Sequence, residues 1–246
     1  MSTLKILQYN LRARPRFFTP WDKVIYRVNQ FIKFLETELE NLDLIILQEI
    51  FDSYALKILK EYFMNKSWFI TGSTKVVLIS GGILIASKYR FISTMEESFN
   101  FCDMQDCLAA KGMCYAKIKI NDNLIYNVIG THLQDGDSEI RDIRKSQIIQ
   151  MKEFIKNIND KSQLLFVIGD FNLCNNTEPV LFEFLKENIS RNIIVPYSHT
   201  EISSMNLDYV ISVNDPIIYK NKIVSLVSDT GISISDHSMI MTEIYI

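Results

Sequence analysis

The chain lacks any run of the roughly 20 apolar residues that a membrane-spanning helix needs, and its 246 residues contain no internal repeat and no low-complexity tract. No linker composition divides it, and 48% hydrophobic content supplies a large core, so residues 1–246 read as one domain. An excess of positive charge is also missing. With 26 basic against 29 acidic residues and a net charge of -3, there is no global attraction for a polyanion such as DNA; no nucleic-acid partner is expected, although a local basic patch stays open. The segment MSTLKILQYNLRARPRFF turns polar and basic after an apolar stretch too short for an export signal. The expectation is a soluble monomer, cytoplasmic or peripheral to membranes, with secretion by another route left open. Cysteine is sparse: Cys102, Cys107, Cys114 and Cys174 lack paired metal-ligand spacing and read as reduced thiols, a Cys102–Cys107 disulfide being the alternative.

What is present is a succession of short, β-branched apolar runs. LKILQYN, LDLIILQE, GGILIAS, GMCYAKIKI, LIYNVIGTH, LLFVIGD, LDYVISV and SMIMTEIYI are predicted strands, the fourth and fifth joined by the tight turn NDN. Helical spacing covers 22–41, where Val24, Val28, Phe31, Ile32 and Leu35 share a face, and 53–64, with Ser53 as N-cap. Two further helices are predicted over 138–157 and 179–188. This mixture of hairpins and crossover helices implies an α/β fold of two mixed β-sheets packed face to face, with helices outside.

Polar residues cluster where the apolar runs end: Asn10, Glu49, His132 with Gln134, Asp170 with Asn172, Asp208, and Asp236 with His237. Taken singly, an Asn or Asp in such a place is a turn or cap residue and a lone histidine is structural. A core, however, requires no such set at so many strand ends. The set suits metal-assisted attack of water on a phosphate ester. Oxygen ligands such as Glu49, Asp170 and Asn172 match Mg²⁺, which takes few carboxylates and keeps positions for water and phosphate. A neutral imidazole accepts a proton from the attacking water if a carboxylate, Asp208 or Asp236, fixes its tautomer, and His132 is placed to donate a hydrogen bond to the phosphoryl oxygens.

The fragments LQYN, LQEIFD, GTHLQ, GDFN, LDYV and SDHS, in that order, resemble the endonuclease/exonuclease/phosphatase superfamily, with its DNase-I-like fold. DLIILQEIFD, AAKGMCYAKI and VIGTHLQDGDS are most similar to the neutral, bacterial-type sphingomyelinases. The resemblance implies a four-layer α/β sandwich and a Mg²⁺-dependent phosphodiesterase splitting sphingomyelin into ceramide and phosphocholine at a membrane surface, with Mn²⁺ or Co²⁺ as substitute ions. It implies Glu49 as principal metal ligand, supported by Asn10 and with Asp236 near the metal. Asp170 and Asn172 would lie near metal and phosphate, His237 would be the general base oriented by Asp208, and His132 the transition-state stabiliser. Lys111 would reach a phosphate and pair with Asp106 when the site is empty.

The chain departs from that pattern twice. Where secreted relatives have an edge metal site, this chain has Ser53 and Ile79 or Ser80, so no such site is expected. Where they carry a long aromatic hairpin before the final Asp-His, the segment NKIVSLVSDTGISISDH is short and has no aromatic residue. Membrane docking then needs another element. Residues 12–23, RARPRFFTPWDK, interleave arginines with rings; Arg16 is a candidate substrate contact, while Phe17, Phe18 and Trp21 suit either a lipid interface or packing beneath the first helix. His199 is a candidate on a substrate-side loop. A nuclease or inositol-phosphate phosphatase of the same fold is the alternative function, and a catalytically silent binding scaffold a further one.

Overall fold

The β-branched runs pair into two six-stranded sheets in a computed structural model of the chain, which describes residues 3–122, 124–158, 163–194, 205–214, 217–228 and 231–245. The strands are β1 (Thr3–Ala13), β2 (Leu44–Ile50), β3 (Phe69–Gly72), β4 (Leu84–Ser87), β5 (Phe91–Ser98), β6 (Gly112–Asn121), β7 (Leu124–His132), β8 (Leu164–Asp170), β9 (Asn192–Ile194), β10 (Asp208–Ser212), β11 (Ile218–Val224) and β12 (Met239–Tyr245). The helices are α1 (Val24–Glu38), α2 (Ser53–Asn65), α3 (Arg141–Ile158) and α4 (Pro179–Asn188). One sheet has the order β11-β12-β1-β2-β4-β3 and the other β5-β6-β7-β8-β10-β9. Each carries a single parallel pair at its centre, β1/β2 or β7/β8, flanked by antiparallel strands.

The period-two alternation of strand side chains produces the layers. Along β1 and β2, Ile6, Leu44 and Ile46 point inward and meet Val128, Phe166, Ile168 and Val210 of the other sheet. Leu7, Tyr9, Ile45 and Leu47 point outward and are covered by Val28, Phe31 and Leu35 of α1 and Leu59 and Phe63 of α2. On the opposite outer face, Ile129, Val167 and Ile211 lie beneath Ile148 and Met151 of α3 and Leu181 and Leu185 of α4. Because both faces of the central strands are buried, they read as continuous apolar runs in the sequence. The result is the expected four-layer α/β sandwich, with two mixed sheets inside and helices outside.

Several local expectations are corrected. Helix α1 is shorter than 22–41, because 3-10 turns at Pro20–Asp22 and Leu39–Asn41 flank it. The cap of α2 is Asp52 rather than Ser53: its carboxylate accepts the N–H groups of Tyr54 and Ala55 at 3.1 and 2.9 Å. Cys102 and Cys107 are joined in a disulfide, whereas Cys114 and Cys174 are free, buried thiols. Strands β3, β5, β9 and β11 were not anticipated. β3, β9 and β11 lie at or next to sheet edges, and the solvent-facing sequences FISTMEES of β5 and IYKNKIV of β11 carry no buried stripe. Among the described residues no helix is long and apolar enough to cross a membrane.

Asp52 also accepts from the backbone and side chain of Arg16, at 3.1 and 3.0 Å, and so ties the β1–α1 loop to the start of α2. Burial alone would raise its pKa, but the N–H donors and the guanidinium outweigh this and hold it below the ordinary carboxylate value. We predict that Asp52→Ala destabilises the fold by about 1–2 kcal/mol while Ser53→Ala changes it by less than about 0.5 kcal/mol. Urea denaturation at neutral pH checks this. Because the folded pKa is depressed, the contribution of Asp52 is fully present above its ordinary value of 3.8 and is lost as pH falls through the folded pKa, so the Asp52→Ala difference shrinks in acid.

Candidate active site

The topology brings chemistry to one edge of the sandwich. The parallel pairs β1/β2 and β7/β8 end there, and their antiparallel neighbours β12 and β10 begin there. Register then sets neighbours: Asp170 faces His132 across β8/β7 and Asp208 across β8/β10. The close approach of β7 and β8 depends on Gly169, where a Cβ would lie 2.0 Å from the Thr131 carbonyl oxygen.

Two carboxamides of β1 cross between the sheets. The Nδ2 group of Asn10 donates to Oε1 of Glu49 at 2.9 Å and to Oδ2 of Asp170 at 3.0 Å, and lies 3.4 Å from Nε2 of His237. Its Oδ1 accepts the backbone N–H of Arg12, which fixes the amide orientation. Two residues earlier, Gln8 Nε2 donates to Oδ1 of Asp208 at 2.6 Å and to Oε1 of Gln48 at 2.9 Å. The other oxygen of Asp208 lies 2.7 Å from Nδ1 of His237, a carboxylate–imidazole dyad that leaves Nε2 facing the cluster. Ser235 supports the dyad from behind, its hydroxyl donating to the Asn10 carbonyl and receiving the His237 N–H.

Left-handed backbone aims two of the side chains. Glu49 has φ 57°, at a register irregularity between β1 and β2, and Asn172 has φ 47°. Both are left-handed conformations, uncommon for a residue such as Glu and readily adopted by Asn. Asn172 is held by its own N–H to Asp170 Oδ1 and by Nδ2 to the Leu133 carbonyl.

The two imidazoles are driven in opposite directions. Burial alone would lower the pKa of His237, but Asp208 and Asp170 outweigh it and hold the pKa well above the ordinary value. His132 is held well below it by burial, then by the charges of Lys111 and His237. Burial raises Glu49, against the Asn10 hydrogen bond and Lys111, and raises Asp170, with Asp208 adding to the effect. Lys111 is itself buried; its Nζ lies 2.6 Å from Asp106, 3.2 Å from His132 Nε2 and 3.3 Å from the Leu133 carbonyl.

Buried carboxylates with raised pKa values lack positive charge, which a divalent cation supplies. Among the described residues, ligand atoms of Asp170, Asp208 and His237 lie within 4.8 Å of one another. That trio is nevertheless committed elsewhere, since Gln8 and His237 occupy both oxygens of Asp208. Glu49 and Asp236 instead border an open cleft of about 530 Å³, beside Lys111, His132, Phe18 and Leu108. With Asn10 behind it, the hard-oxygen donor set on the cleft side fits Mg²⁺. Asp236 is paired with Arg12 at 3.0 Å.

No protein-family model matches the chain. It is 29% identical over 230 residues to a sphingomyelinase C of Bacillus cereus, covering 75% of this chain and 69% of that protein. A second Bacillus cereus sphingomyelinase C is 27% identical over a 271-residue alignment, covering 90% and 79%. Among solved structures, SmcL superposes with a TM-score of 0.82 at 22% identity over 99% of both chains. A beta toxin variant from Staphylococcus aureus, solved with bound magnesium ions, superposes with 0.81 at 22% identity over 98% of this chain and 99% of the other. The chain has the DNase-I-like fold and is sphingomyelinase-like. The fold also matches D. rerio TDP2, solved with a single-strand DNA product, with a TM-score of 0.74 at 14% identity over both whole chains. The likeness of the sequence to the sphingomyelinase C relatives points to a phosphodiesterase hydrolase.

In this DNase-I-like frame Asn10, Glu49, His132, Asp170, Asn172, Asp208, Asp236 and His237 converge, and Lys111 pairs with Asp106 as anticipated. Arg16 does not join them. Its guanidinium is bound to Asp52 and lies over the Tyr54 ring, while Arg12 and Arg14 line the cleft instead. His199 lies outside the described residues. Gln8, Gln48, Arg12 and Ser235 were missed. A signal for Gln8 existed in LQYN, since Gln8 and Asn10 occupy the same face of one strand. We predict that Gln8→Leu preserves the fold, by circular dichroism, but lowers kcat about tenfold or more, as loss of a supporting contact to a catalytic group does. A kcat equal to that of the parent removes Gln8 from the site.

Proposed function

We propose that the protein is a divalent-metal-dependent phosphodiesterase that hydrolyses sphingomyelin, or a related phospholipid, to ceramide and phosphocholine at a membrane surface. The observation that carries this reading is the Asp208–His237 dyad, 2.7 Å apart, meeting Asn10, Glu49 and Asp170 in one hydrogen-bonded cluster beside the cleft. The sphingomyelinase C relatives supply the substrate class. Glu49 and Asp236 are the set to hold the ion, Mg²⁺ or in its place Mn²⁺ or Co²⁺, while Asn10 orients the Glu49 carboxylate by donating to it from behind. When bound, the ion supplies charge neutralisation at a phosphate oxygen.

The residues divide the remaining work. His237, held at Nδ1 by Asp208, takes the proton of the attacking water at Nε2 in its neutral form, which the charge of a bound cation would favour over the imidazolium that Asp208 and Asp170 favour without it. Asp170 and Asn172 order the floor of the site between the two imidazoles. From the other side, the Lys111 ammonium and His132 face the phosphoryl oxygens, where charge develops. Asp106 holds Lys111 in place until a phosphate takes over that contact.

A second reading, hydrolysis of a nucleic-acid phosphodiester, is favoured by the likeness to the TDP2–DNA structure and disfavoured by the net charge of -3. Incubation with Mg²⁺ and, in parallel, sphingomyelin, phosphatidylcholine, plasmid DNA and inositol phosphates separates the readings. Phosphocholine release is the expected result, and nicked plasmid without phosphocholine reverses it. We predict that His237→Ala folds normally but loses on the order of a hundredfold to ten-thousandfold in kcat. Glu49→Gln shifts the Mg²⁺ titration of activity to higher concentration, and an unaltered titration removes Glu49 as a ligand.

A further inference from the structure

Large apolar side chains stand exposed on two segments that each reach the lining of the cleft. The first, the β1–α1 loop, leaves Phe17 at 90% and Trp21 at 73% relative exposure, with Phe18 half exposed beside Phe17, the two rings edge-to-face at 5.4 Å. These rings do not pack beneath α1. The loop is well anchored behind them: Arg14 bonds Asp22 at 2.7 Å, Arg16 bonds Asp52, and the N–H groups of Phe18 and Thr19 bond the Pro15 carbonyl.

In the second, Val76, Val77 and Leu78 are exposed, and so are Leu108 and Met104, the latter at 84%. The backbone N–H groups of Leu78 and Ile79 both donate to the Leu108 carbonyl at 3.0 Å, and Ala110 donates back to Ile79. The Cys102–Cys107 bridge closes the loop that carries Met104. This second group is therefore one stapled body. Phe18 from the first group and Ile79 and Leu108 from the second line the same cleft as Glu49 and His132.

Single exposed apolar residues are ordinary, but two braced groups that each contribute side chains to the lining of one cleft mark an interaction surface. We infer that these two lips dock the protein onto a phospholipid bilayer, rings and aliphatic groups entering the headgroup layer so that the cleft mouth closes on the membrane. The inference deepens the proposed function by naming how a bilayer-held substrate reaches the site. The charges favour a lipid surface. Exposed Lys23 and Lys75 lie beside the apolar groups, where lipid phosphates meet snorkelling cations. Asp103, Asp106 and Asp135 border the second lip, so the rim is of mixed sign and matches a zwitterionic headgroup layer better than an anionic one.

The chain has two tryptophans, exposed Trp21 and buried Trp68, so emission reports on the lip directly. With divalent ions chelated, vesicles of phosphatidylcholine and sphingomyelin are expected to shift Trp21 emission to the blue and to sediment the protein, and Trp21→Phe abolishes the shift. Phe17→Ala/Trp21→Ala and, separately, Val77→Ser/Met104→Ser are expected to weaken vesicle sedimentation about tenfold or more, since each removes apolar groups that insertion would bury. Both should leave turnover of a water-soluble choline phosphodiester unchanged. Vesicle binding equal to the parent in both double variants overturns the inference, as does a parent that ignores vesicles. Self-association of the parent that the same variants abolish assigns the lips to a second copy instead. A parent that sediments with vesicles but cleaves neither lipid nor soluble diester sinks the proposed function and leaves the docking surface standing.

Discussion

Two carboxylates, Asp170 and Asp208, sit face to face in adjacent strands at the edge of the sandwich that carries the candidate site, both almost wholly removed from water. Such charges persist only with donors around them. The donors come from the opposite sheet and from the segment before β12: Asn10 to Asp170, Gln8 to Asp208, and His237 against Asp208. The active-site edge is thus also where polar bonds lock the two sheets together, while the apolar layer between Ile6, Ile46, Phe166 and Ile168 holds them everywhere else. Fold and site share one constraint. Loss of a carboxamide donor strips a buried acid of its partner and removes a polar bond between the sheets together.

The same arrangement explains how one environment prepares two histidines differently. His237 lies against carboxylates and is drawn toward the charged form, whereas His132 lies against the Lys111 ammonium and is kept neutral. Neighbouring groups pushed apart in this way can divide proton transfer and charge stabilisation between them. The left-handed backbone of Glu49 belongs to the same design, because such a residue is held in an uncommon conformation only where rigid surroundings keep its side chain on target. A cation bound at Glu49 would relieve the excess negative charge of these buried acids.

The cleft is rimmed by features of another kind. Its floor is polar and its lips are apolar, and the lips are built from loops braced by ion pairs, carbonyl bonds and a disulfide. Exposed rings held on a braced loop beside a cleft mark an interaction surface.

The sequence alone determined the α/β class, the eight central strands, the four helices and most of the polar set, because each of these is written in local periodicity or at the end of an apolar run. Asn10, Glu49, Asp170, Asp208 and His237 were legible for that reason, and their motif order pointed to the DNase-I-like fold. Other features are not local. The exposed sequences of β5 and β11 gave no buried stripe, the choice of Asp52 over Ser53 as cap rests on hydrogen-bond geometry, and the diversion of Arg16 to Asp52 depends on where α2 starts. Gln8 hid inside an apolar strand because its partner, Asp208, lies 200 residues away and meets it only when the two sheets close. Pairings across sheets and the exposure of Phe17 and Trp21 were decided by tertiary structure, since contact between distant segments follows from packing and leaves no periodic trace in the chain.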